Sequence, residues 1–276
     1  MNRRSVLLGA ATVFGVLASG AVRSQPAEGT LARVNRTKVL RVGAVAGAIP
    51  YFKKDPETGK WEGFVPDFAE SLARKLGVKV EYVETTWGNA VLDIQSKKID
   101  AMFGMAPSPA RMEAVNFSQP LFENTYTLVC RKGFPNKSWA QLNAPGSRIA
   151  VDVGSSHDQV VTRMLPNGEV SRFENSGAAT LALQAGRADC QVLVILLAQP
   201  LLVKRPDLGV IQIPAPVQTA PVCIAMFKED DASFQQAVNA WLAEIRAKGE
   251  VRSVILKNMD HLAGVPPESF PPEVTF

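Results

Sequence analysis

Apolar and polar positions follow two periods along this chain, and the period switches in a regular order. Between Trp61 and Val80, Phe68, Leu72 and Leu76 recur every four residues as one stripe of a helix over 66–76. Pro66 stands at its start, where a missing N–H is no loss, and Gly77 stands where a helix stop is expected. Val78 and Val80 then alternate with Lys79 and Glu81, which predicts a strand over 78–84. The same reading predicts strands at 39–45, 99–105, 125–132, 147–154, 170–174, 188–195, 210–214 and 222–227. Helices are predicted at 87–97, 157–165, 177–185, 231–248 and 251–258, with a loop and helical turn at 107–114. Val238, Trp241, Leu242 and Ile245 form the apolar face of the 231–248 helix. Strands alternating with helices argue for an α/β fold with largely parallel sheets. No internal repeat of short period is present.

The N-terminus predicts where the protein works. Met1–Arg4 is basic, and the uncharged apolar run from Val6 to Ala21 is only 16 residues long, short of the roughly 20 that span a membrane. An export signal over 1–24 is expected, with cleavage between residues 20 and 26. Asn2-Arg3-Arg4-Ser5-Val6-Leu7 resembles a twin-arginine signal, and an ordinary secretory signal is the other reading. The first cysteine is Cys130, so no lipoprotein anchor is expected. Cleavage removes Arg3, Arg4 and Arg23 and takes the formal charge from +4 to +1. The basic character therefore does not point to nucleic acid or membrane, and no Lys/Arg run interleaved with aromatics supports nucleic-acid binding. What remains of the 276 residues suits two lobes of about 100 residues each.

Several chemistries find nothing to build on. The three cysteines, Cys130, Cys190 and Cys223, each lie in an apolar strand-like run and read as small buried hydrophobes; one disulfide plus a free thiol is the alternative. There is no Cys-x-x-Cys, and the two histidines, His157 and His261, are far apart in sequence, so no metal site is expected. Gly-x-Ser-x-Gly, a phosphate loop and His-Glu-x-x-His are all missing. Gly43–Ala48 lacks the Gly-x-x-Gly spacing of a dinucleotide loop, and no cofactor is expected.

A set of short motifs then falls in order. Gly63-Phe64 through Leu76-Gly77, with Asp67 as an early helix acid, is followed by Trp87, by Lys97-Lys98-Ile99-Asp100-Ala101, and by Ser108-Pro109-Ala110-Arg111 with Phe117-Ser118-Gln119-Pro120. Gly154-Ser155-Ser156 and Gly186-Arg187-Ala188-Asp189-Cys190 come later. Over roughly residues 37–258 this order resembles the periplasmic family 3 solute-binding proteins, the amino-acid receptors of ABC importers. The resemblance implies two α/β lobes, each a mostly parallel sheet flanked by helices, that close on a small ligand. Lobe 1 is expected over 37–130 plus 222–258, lobe 2 over 131–221, and a C-terminal tail over 259–276. The two-strand hinge is expected near Cys130–Lys132 and Thr219–Val222. A monomer in the periplasm is implied, serving an ABC permease in the inner membrane and not acting as an enzyme.

The matched positions make chemical sense. Arg111 offers a planar fork of donors to a carboxylate, with Ser108 one turn earlier aimed at the same anion. Ser155 and Ser156 stand between a strand and a helix, where backbone N–H groups and the helix dipole suit a carboxylate oxygen; a plain N-cap is the structural alternative. Trp87 is expected to wall the pocket, and Tyr51 is the aromatic near the end of the first strand. One position departs from the resemblance. Amino-acid binders of the family hold the ligand's ammonium with an acid after the Gly-Arg-x-Asp motif, and that spacing lands here on Val194. The loop Ala44–Tyr51 carries no acid either. An ammonium buried without a countercharge is costly, so an organic acid is expected rather than a standard amino acid. Three alternatives stay open: an amino-acid receptor with its amine site relocated to Glu84, Glu123 or Asp152, an exported enzyme like the cyclohexadienyl dehydratases, and a periplasmic sensing or accessory subunit that signals rather than imports.

Overall fold

The computed structural model describes residues 28–270, so the export signal and residues 271–276 of the predicted tail lie outside the described part. The chain opens with helix α1 (Thr30–Thr37), strand β1 (Val39–Ala44) and a small hairpin of β2 (Lys53–Lys54) and β3 (Trp61–Glu62). Then follow α2 (Phe64–Leu76), β4 (Lys79–Glu84), α3 (Ala90–Gln95), β5 (Ala101–Met105), α4 (Pro109–Ala114) and β6 (Val115–Phe117). The long strand β7 (Phe122–Cys130) leads into α5 (Trp139–Leu142), β8 (Arg148–Asp152), α6 (Ser156–Met164), β9 (Glu169–Phe173), α7 (Ser176–Gln184), β10 (Cys190–Val194), α8 (Ile195–Lys204) and β11 (Val210–Gln212). A second long strand, β12 (Thr219–Phe227), returns the chain to α9 (Ser233–Ala247) and α10 (Glu250–Ala263).

Each lobe has the expected parallel set, β4-β1-β5 in the first and β10-β8-β9 in the second. The strands between them are antiparallel: β12 pairs with β5 and β7, and β7 pairs with β10 and β11. β7 and β12 are the two connections between lobes and run in opposite directions, so they pair with each other, Thr125 opposite Thr219 and Phe122 opposite Val222. From Tyr126 onward β7 pairs with β10 instead. The first crossing thus lies about Thr125–Tyr126, ahead of the expected Cys130–Lys132, and Cys130 packs in the core of the second lobe.

The stripe read from sequence is the one buried. Phe68 and Leu72 of α2 are shielded, Leu76 packs partly buried on the same cluster, and Gly77 closes the helix in the left-handed region. Trp241 of α9 stacks edge-on against Phe68 and Phe103, tying α9 to α2 and β5. The second lobe has its own core of Leu128, Trp139, Ile149, Val151, Val160 and Val192.

Three expectations change. Cys130 and Cys190 form a disulfide, where the sequence suggested three separate buried hydrophobes; only Cys223 is a free thiol among the described residues. The reason is register: Cys130 and Cys190 stand directly opposite on β7 and β10, so their side chains share one face. Helix α8 escaped the reading because Ile195–Lys204 is apolar on most sides and carries Pro200 in its interior. The predicted tail at 259 is still helix: α10 runs to Ala263, and Met259 and Val265 are buried in the first lobe's core.

Candidate functional site

Tyr51, Trp87, Arg111, Ser155, Ser156 and Val194 line one cavity between the lobes, together with Gly104, Met105, Ala106, Asn124, His157 and Leu197. The empty space among these residues is about 350 Å³, part of it open to solvent.

The aromatic wall comes from the first lobe. The first N–H groups of α2 bond back to the loop before β2, Phe64 N to the Pro50 carbonyl at 3.1 Å and Val65 N to the Tyr51 carbonyl at 3.3 Å. This fixes Tyr51, which is 2% exposed and lies edge-on to Trp87 with ring centres 5.9 Å apart. Both rings rest over Gly104 of β5, where a Cβ would come within 3.2 Å of each. Burial raises the Tyr51 phenol well above its ordinary value, while the bond from Asn124 opposes the shift.

Arg111 is the cation of the site. It lies on α4 and is 6% exposed. Its guanidinium donates to the Ala106 carbonyl at 2.9 Å and, across the cleft, to the Gly154 carbonyl at 2.9 Å. Among the described residues no carboxylate oxygen forms an ion pair with it. Burial lowers its pKa, and Tyr126 and Asp152 partly oppose that. The Gly154 carbonyl comes within reach because Gly154 takes a positive φ of 71° and packs directly against Gly88 of the first lobe. A Cβ on Gly154 would lie 3.1 Å from the Gly88 Cα.

Ser108 is not in the cavity. Its hydroxyl accepts from the Arg111 backbone N at 3.3 Å and caps α4, so it orients the helix that carries Arg111 rather than facing an anion. Ser155 lines the cavity, and its hydroxyl accepts from Asp158 N at 3.2 Å as the N-cap of α6 and donates to the Asp152 carbonyl at 2.7 Å.

Val194 lies in the wall, 3% exposed, and opens α8. Its N–H donates to His157 Nε2 at 3.1 Å, which places the ring proton on Nδ1, 2.8 Å from Asp152 Oδ1. Burial raises the Asp152 pKa and the His157 ring lowers it, and the net position is below the ordinary carboxylate value. The acids weighed as a relocated amine site do not line the cavity. Glu84 is exposed and pairs with Lys54 at 2.8 Å; Glu123 is exposed on β7; Asp152 lies behind His157. Asp67 accepts from Asn258 Nδ2 at 2.9 Å, outside the cleft.

Two polar lining residues escaped the sequence reading. His157 directly follows Ser155-Ser156 and is one of two histidines, a signal that was available. Asn124 is an amide near the start of an otherwise apolar strand, a weaker signal. The described residues contain no group of three or more His, Cys, Asp or Glu placed to hold a metal ion.

Comparison with known proteins bears on this arrangement. The profile of the bacterial extracellular solute-binding proteins, family 3, matches residues 40–261. The L-cystine-binding protein TcyJ of Escherichia coli (strain K12) is 26% identical over 253 residues, 91% of this chain and 93% of that protein. The cyclohexadienyl dehydratase of Pseudomonas aeruginosa is 25% identical over 258 residues, covering 92% of this chain and 93% of the enzyme. The crystal structure of an ancestral amino acid-binding protein, a precursor of cyclohexadienyl dehydratase, superposes with a TM-score of 0.73 at 32% identity, covering 83% of this chain and 98% of that one. With the two α/β lobes and the buried arginine between them, these matches establish that the chain belongs to the bacterial extracellular solute-binding proteins of family 3.

Proposed function

We propose that this chain is an extracytoplasmic receptor that closes its lobes on a small carboxylate lacking an α-ammonium group and delivers it to an ABC importer. The observation that carries the reading is Arg111, a buried guanidinium bonded only to carbonyls, in a cavity with no carboxylate among its lining residues. A buried cation without a counter-ion favours an anionic ligand, and a planar fork of donors favours a carboxylate. The same cavity offers an ammonium no countercharge, because Val194 fills the wall where a carboxylate would be needed.

A receptor for an ordinary amino acid is the second reading, favoured by the names of relatives that bind cystine and other amino acids. A dehydratase is less well supported. His157 is the lining residue best suited to proton transfer, and both of its ring nitrogens are already engaged. A thermal-shift panel of the twenty amino acids beside matched keto, hydroxy and simple carboxylic acids separates the first two readings. The expected result is stabilisation by an amine-free acid, with Val194→Asp shifting preference toward the amino acid. Tight binding of an ordinary L-amino acid by the unmodified protein contradicts the proposal. Incubation with prephenate or arogenate is expected to give no product, and turnover would favour the enzyme.

A further inference from the structure

We infer that Asn124 is a specificity determinant that requires a neutral hydrogen-bond donor on the ligand, which makes the ligand a hydroxycarboxylate rather than a simple carboxylate. The inference rests on the carboxylate reading of the same cavity. Asn124 is 6% exposed, lies on the strand joining the lobes opposite Ala220, and lines the cavity with Arg111. Its Nδ2 donates to the Tyr51 hydroxyl at 2.7 Å, and its Oδ1 is buried with no partner. The described residues contain four such buried atoms, on Asn124, Trp139, Gln199 and Gln212, and of these residues only Asn124 lines this cavity. Buried polar atoms are nearly always paired, so an unpaired acceptor in the wall of a binding cavity points to a donor on the ligand.

The charge balance decides the kind of donor. An ammonium would place a second cation in a cavity that already holds Arg111 and has no carboxylate in its wall. A hydroxyl satisfies Oδ1 without that cost. Sites built to bond a ligand hydroxyl discriminate strongly against the analogue that lacks it, because the protein's own acceptor is then left bare.

The test is calorimetry with sets of acids that share a side chain and differ at one position: hydroxy, oxo, amino and unsubstituted. Mandelate, phenylglyoxylate, phenylglycine and phenylacetate form one set; 2-hydroxy-4-methylpentanoate, its oxo acid, leucine and 4-methylpentanoate form another. In the unmodified protein the hydroxy member of the preferred set is expected to bind at least about 100-fold more tightly than the unsubstituted acid. Asn124→Leu is expected to shrink that ratio to below about 10-fold by weakening the hydroxy acid. Asn124→Ser gives the same readout if the larger substitution does not fold. Equal affinity for hydroxy and unsubstituted acids overturns the inference and leaves the carboxylate reading standing, as does a ratio that survives in both variants. Tightest binding of the oxo acid means that the free amide atom is nitrogen and also overturns it. Preference for the amino member, or no binding by any member, overturns the carboxylate reading together with the inference.

Discussion

The two lobes share a framework and differ at their rims. Strand order is β4-β1-β5 in one and β9-β8-β10 in the other, and both lobes lock their first and third strands with the same clamp. In the first lobe Arg41 reaches Asp100 through its backbone N at 2.8 Å, Nε at 3.2 Å and a terminal nitrogen at 2.7 Å. In the second, Arg148 reaches Asp189 through the same three groups at 3.0, 3.1 and 2.8 Å. A further arginine joins each clamp, Arg33 at Asp100 and Arg131 at Asp189. The segments after the equivalent strands diverge. After the third strand, the first lobe places a buried cation, Arg111, while the second runs straight from Val194 into α8. The clamp explains why the Lys-Ile-Asp-Ala and Arg-Ala-Asp-Cys motifs mark the fold, whereas residues beyond the strand ends, Arg111 and Leu197 among them, line the cavity.

The largest expected effect lies at that difference. Arg111→Ala removes the cation and is expected to weaken carboxylate binding by about 2–5 kcal/mol, read by calorimetry. The disulfide belongs to the second lobe's side of the comparison. Closing a loop across a sequence separation of 60 with Cys130–Cys190 is worth about 4 kcal/mol in the chain-entropy picture, so the double substitution to Ala is expected to cost about 2–4 kcal/mol in urea titration.

Arg33 and Arg41 are 20% and 24% exposed, whereas Arg131 and Arg148 are 51% and 45% exposed. Removing the carboxylate strands more deeply placed cations in the first lobe. Asp100→Ala is expected to cost about 3 kcal/mol and Asp189→Ala less, read from paired chemical melts; a larger cost at Asp189 would break the argument. The smallest effect is one of pH. Asp152 has its pKa depressed on folding, so its contribution to stability is complete above the ordinary carboxylate value of 3.8 and is lost as pH falls below it. The stability gap between the unmodified protein and Asp152→Asn is expected to close with acidification through that range.

Much of this was legible because it depends on local pattern. The stripe Phe68-Leu72-Leu76, the stop at Gly77 and the strand-helix alternation need only period and end signals, and each corresponds to an element of the fold. Arg111, Trp87 and Val194 could be placed by counting from motifs, and they share one cavity. What was hidden depends on contacts across the chain. The Cys130–Cys190 pairing follows from the register of two strands 60 residues apart. The capping role of Ser108 depends on the backbone direction entering α4, since the same hydroxyl one turn from an arginine can face a ligand or the helix. Asn124 falls just outside the strand predicted at 125–132, and its place beside Tyr51 depends on a contact 73 residues away in the chain.

The proposed cleft holds a carboxylate and rejects an ammonium. Equilibrium dialysis of the protein against an equimolar mixture of the twenty L-amino acids and their oxo, hydroxy and deaminated counterparts, followed by mass spectrometry of what the protein retains, tests it most directly. The retained compounds are expected to be acids without a primary amine, and Arg111→Ala is expected to retain none. Retention of an ordinary amino acid in preference to its amine-free counterparts would contradict this.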